Sequence, residues 1–162
     1  MRNRSTPILA VLAAVVGAVF AIAVAVVLLG DEATASRADY QANVVNARDR
    51  VDFALARITR SQSIDELIER VDEASAVLGK TASDLDDTGV APGFEPANAR
   101  LVKTLQSFSD ELAATAAQFR DPSFAASLAG ITSLSFPQWT QTNKVLADLK
   151  KQGLQVEQLE RH

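Results

Sequence analysis

Between Arg2/Arg4 and Asp31/Glu32 the chain runs from Ile8 to Leu29 without one charged or strongly polar side chain. At about 1.5 Å per residue this run makes a helix of about 33 Å, against a hydrocarbon core of about 30 Å. A transmembrane helix over 8–29 is therefore expected, and no other stretch is apolar for long enough to cross. Basic residues stand before the span and acidic ones after it. By the positive-inside tendency this predicts a short cytoplasmic N-terminus, 1–7, and everything from residue 30 onward outside a plasma (inner) membrane crossed once. Ala33-Thr34-Ala35 also fits the small-x-small pattern of a signal-peptide cleavage site. Signal h-regions run to about 7 to 15 residues, so retention as an anchor is the expectation, with a secreted product after cleavage near Ala35 as the competing one.

Two of the sixteen Lys/Arg precede the span and all twenty Asp/Glu follow it, so the part beyond carries a net charge of −6. An acidic domain without a basic cluster argues against nucleic acid as a partner. There are no cysteines, which removes disulfides, thiolate metal sites and thiol catalysis. The outer part must be held by its core alone.

Beyond the span the apolar pattern is helical almost throughout. Tyr40, Val44, Ala47, Val51, Ala54/Leu55 and Ile58 form one stripe. That first outer helix either continues from the membrane helix as a stalk or is jointed at Gly30. Ser63 with Glu66 three residues on reads as a capping box opening a second helix, with its seam at Ile64, Leu67/Ile68, Val71, Ala74, Leu78, Ala82 and Leu85. The breaker-rich stretch 88–93 follows, and Pro96 suits the first turn of a third helix with Leu101, Leu105, Phe108, Leu112, Ala116 and Phe119 inward. Asp121 caps a short helix through Leu128. A last helix from about Pro137 carries Trp139, Asn143, Leu146 and Leu149 and stops at Gly153. The expected fold is all-α: an antiparallel bundle of about four helices over 30–153 on a single N-terminal anchor, with 154–162 an unassigned C-terminal tail.

Asp84, Asp86, Thr88, Gly89 and Glu95 match positions 1, 3, 5, 6 and 12 of a helix-loop-helix calcium loop. Against calcium, Thr88 is a weak ligand, Pro92-Gly93 falls where the exiting helix should begin, and the motif is unpaired, so an acidic solvated loop is expected and no metal or cofactor is assigned. Gly79-Lys80-Thr81 resembles the end of a phosphate-binding loop, but Ala74 replaces the first glycine and no strand precedes it. Gly79 instead suggests close helix packing. The only histidine is His162, and the carboxylate pairs Asp65/Glu69 and Asp110/Glu111 sit on polar faces, so no catalytic constellation is found. Phe136 and Trp139 are expected to close the end of a bundle.

In the span, Ala13, Gly17, Ala21 and Ala25 fall at four-residue spacing and make a smooth face on which another membrane helix can pack. These features point to a non-enzymatic, membrane-anchored binding or scaffold protein, an accessory subunit of a membrane or envelope complex. Its expected partners are the bilayer, other membrane helices or a second copy of itself, and an extracytoplasmic protein. A ligand- or Ca²⁺-binding extracytoplasmic helical module is the alternative.

Overall fold

A computed structural model of the chain describes residues 34–125 and 135–161. The expected span over 8–29 and its small-residue row, Ala13, Gly17, Ala21 and Ala25, lie outside the described residues. Among the described residues no helix is long and apolar enough to cross a membrane. They form α1 (Arg37–Ile58), α2 (Ile64–Asp86), α3 (Glu95–Phe119), the single-turn α4 (Pro122–Ala125) and α5 (Pro137–Lys151), with no strand among them.

Local chemistry accounts for the ends. Ser36 has extended backbone and its hydroxyl accepts the Asp39 N–H at 3.1 Å, so α1 starts afresh there and does not run back as an uninterrupted stalk through 34–36. At α2 the Ser63 hydroxyl accepts the Glu66 N–H at 3.1 Å. The Glu66 carboxylate reaches one residue further back than a strict capping box, taking the Gln62 N–H at 2.9 Å. Gly153, at φ +93°, ends α5, and the Leu154 N–H bonds back to the Leu149 carbonyl at 3.1 Å.

Cross-helix pairs set the register. Arg50 meets Asp84 and Arg57 meets Glu73; Asp72 meets Arg120, Ser75 meets Ser109, and Leu85 meets Asn98; Arg100 meets Asp148 and Glu111 meets Gln138. In each set one number falls as the other rises, so α1/α2, α2/α3 and α3/α5 are all antiparallel. The bundle core is built from the expected stripes, with Val44, Val51, Val71, Leu78, Phe108, Leu112 and Leu149 fully buried. Ile64 departs from the expected seam. It stands in the first turn of α2 and is 44% exposed.

The segment after Gly153 is a structural wall that sequence periodicity does not reveal. Leu154, Val156 and Leu159 are buried, and the extended chain runs beside α1. Gln152 O accepts from Arg37, the Gln155 N–H donates to Gln41, Gln158 O accepts twice from Arg48, and the Glu160 N–H donates to Asp52. Both numbers rise together, so the tail is parallel to α1. Eight extended residues at about 3.3 Å each span roughly the same length as fifteen helical residues at about 1.5 Å, which lets the pairing stay in register. From α5, Asn143 clamps Leu159 with both ends of its amide: Oδ1 accepts the Leu159 N–H at 2.6 Å and Nδ2 donates to its carbonyl at 3.3 Å. These bonds satisfy buried backbone that a helix or strand would otherwise pair.

Candidate functional site

Three rows of α1 do three different things. The core row holds Tyr40, Val44, Ala47, Val51 and Ile58. At 100° per residue, Arg37, Gln41, Arg48 and Asp52 fall about 40–100° to one side of it and hold the tail, while Arg50, Phe53 and Arg57 fall about 100–160° to the other. This third row, with a flank of α2, lines an open groove of about 260 Å³.

The floor of the groove is apolar: Ala54 and Ala74 are buried, Val77 is half-buried, and Phe53 stands beside them 66% exposed. Among the described residues, Phe53 and Ile64 are the large apolar side chains left exposed, and Phe53 is the more exposed of the two. The rim is cationic. Arg50, Arg57, Arg70 and Lys80 line it with a single carboxylate, Glu73. They are held by ion pairs: Arg50 and Lys80 reach the two oxygens of Asp84 at 2.9 and 2.8 Å, Arg57 reaches Glu73 at 2.9 Å, and Arg70 reaches Glu66 at 3.1 Å and Glu73 at 3.9 Å. Four cations thus share three carboxylates, a locally basic face on an acidic chain. The Asp84 carboxyl is held below the ordinary carboxylate range by the Lys80 hydrogen bond first and by Arg50 as well.

The residues singled out from the sequence have other placements. Asp84 and Asp86 belong to the last turn of α2, not to a loop, because the helix continues to Asp86. Both Asp84 oxygens are taken by cations, the Thr88 hydroxyl donates to the Asp84 carbonyl, and Glu95 accepts the Gly93 N–H at 2.9 Å. Among the described residues no group of three or more His, Cys, Asp or Glu side chains converges as a metal site would. Gly79 lies against Ser109 of α3, where an added Cβ would stand 3.2 Å from the serine oxygen; the glycine marks close helix packing, as expected. Asp65, Glu69 and Asp110 are exposed, and Glu111 accepts the Gln138 N–H at 3.1 Å, supplying the first turn of α5 with the cap that Phe136 lacks. Phe136 packs against Phe108 with centroids 5.8 Å apart, and the Arg161 guanidinium lies 5.6 Å over the Trp139 ring.

One apolar stripe per helix does not disclose the groove, because the groove lies on a second row of each. Arg50, Phe53 and Arg57 recur at i, i+3 and i+7, as do Arg70, Glu73 and Val77. That pairing of two flanking rows was the available signal. Comparison of the chain with protein-family models, curated proteins and solved structures finds no match.

Proposed function

We propose that this chain is a membrane-anchored extracytoplasmic binding protein without chemistry of its own, an accessory or scaffold subunit of a membrane or envelope complex. The anchor is the apolar run 8–29, with its small-residue row offered to other membrane helices. The observation that carries the binding role is the exposure of Phe53 on the α1 wall of a cation-rimmed groove. Exposed aromatics flanked by arginine are the composition of interaction hot spots, whereas catalysis needs convergent acid, base or nucleophile groups.

The test is to purify the full-length protein in mild detergent from the membranes of cells that make it, and to map what stays bound by crosslinking mass spectrometry. Crosslinks from a membrane complex to the bundle, together with intact peptides covering 1–29, are the expected result. A protein that purifies alone, or one whose N-terminus begins after Ala35, overturns this reading.

A further inference from the structure

We propose that the α1/α2 groove is the seat of an acidic amphipathic α-helix from a partner protein; this rests on the binding-protein reading and names the partner's chemistry. The groove runs along two antiparallel helices, and each contributes residues at helical spacing: Arg50, Phe53, Ala54 and Arg57 from one, Arg70, Glu73, Ala74 and Val77 from the other. A surface patterned by i, i+3, i+4 and i+7 on both walls matches the ridges of a third helix. Ala54 and Ala74 keep its floor low, so a backbone can approach closely.

Openness favours a helix over a small ligand. About 260 Å³ lies below the roughly 300–1,000 Å³ of pockets that enclose small molecules, and the groove is open enough to leave Phe53 two-thirds exposed. It suits one or two apolar anchors projecting from a longer element. The run from Arg50 to Arg57 covers about two turns, and that from Arg70 to Lys80 about three, at about 5.4 Å per turn.

Charge selects the sign. Arg50 and Lys80 are 59% and 74% exposed at one end, Arg57 and Arg70 37% and 27% at the other. Asp84 is shared by Arg50 and Lys80, and a guanidinium with five N–H donors beside an ammonium with three has more than one carboxylate takes; at the other end Arg57 and Arg70 flank Glu73, whose Oε2 is buried without a hydrogen bond. An acidic helix with apolar residues on one face complements both floor and rim, while a second copy of this net-negative chain is opposed by its overall charge.

The experiment uses the full chain in the cells that make it, with a photoreactive phenylalanine analogue at Phe53 and, separately, at the exposed Lys103 on α3. Adducts are identified by mass. The expected result is a Phe53 adduct to a segment of another protein that carries apolar residues at helical spacing flanked by Asp or Glu. The double variant Arg50→Glu/Lys80→Glu should lower its yield at least tenfold, and reversing the partner's facing carboxylates to lysine should restore it. A lipid adduct, a self-adduct, or a protein adduct indifferent to the charge reversal overturns the proposal. Capture from Lys103 alone overturns the groove and leaves the binding-protein reading standing; capture from neither position overturns both. The folding control is the melting temperature of the probe-bearing protein with and without Arg50→Glu/Lys80→Glu, which should differ by only a few degrees because both side chains are exposed.

Discussion

Ser75 and Ser109 hydrogen-bond each other's backbone across the α2/α3 contact: the Ser75 hydroxyl donates to Ser109 O at 2.9 Å and the Ser109 hydroxyl to Ser75 O at 2.8 Å. One turn along, Gly79 faces the same Ser109 oxygen. Three small residues thus bring two helix backbones together where larger ones would hold them apart.

This contact predicts a specific non-additivity. Alanine at Gly79 gains about 1 kcal/mol of helix propensity but presses on an oxygen that its bond to Ser75 holds in place. Gly79→Ala alone should therefore be close to neutral, and Ser109→Ala alone should cost about 0.5–1.5 kcal/mol. In the Ser109→Ala background the crowding is gone, and Gly79→Ala should stabilise by about 1 kcal/mol. Urea unfolding of the four forms measures the coupling, and simple additivity would refute it.

The tail should behave as core. Leu159→Ala empties a buried site and should cost about 2–5 kcal/mol. Asn143→Ala leaves the Leu159 N–H and C=O without their partner and should cost about 1–3 kcal/mol. Ending the chain at Gly153 removes three buried apolar side chains at about 1.5–3 kcal/mol each, a large part of a small domain's stability. Thermal melts should show loss of the cooperative transition, and an unchanged melt would mean that the tail does not pack.

Tyr40 is the only tyrosine, so tyrosinate absorbance reports it alone. Burial first, and the nearby Glu95 charge second, push its phenol up to about 12 from an ordinary 10.0. A pKa raised in the fold means that the stability tied to it is complete below pH 10 and is lost as pH rises through 12. The ultraviolet titration should have its midpoint near 12 in buffer and near 10 in denaturing urea. Coincident midpoints would contradict the burial.

Acid acts in the other direction. Asp84 is held below its ordinary 3.8 by Lys80 and Arg50, Glu157 is lowered by Lys150, and Asp121 by its bonds from Ser123. Depressed carboxylates stabilise the fold above their ordinary values and lose that contribution as pH falls through the lowered ones. The melting temperature should fall as pH drops below about 4. Asp84→Asn should flatten the fall, and because the pairs are exposed the difference should shrink in molar salt.

The helices were legible because each announces itself locally. Seams at three- and four-residue spacing, Ser63 before Ile64, Pro96 in a first turn and Gly153 after Lys151 are all signals carried within a few residues. Among the described residues, the sequence by itself determined the helices, their antiparallel neighbours and the small contact at Gly79. Tertiary structure alone decided the rest. Leu154, Val156 and Leu159 have no helical period, and their burial depends on Arg48 and Asn143, distant in sequence, meeting the tail backbone. Asp84 reads as a calcium ligand by spacing and becomes a counterion because Arg50, thirty-four residues away, lies across from it. Phe53 is one apolar residue among many on α1 until α2 packs beside it and leaves it in the open. Periodicity reports how a residue sits on its own helix, and only packing decides what stands opposite.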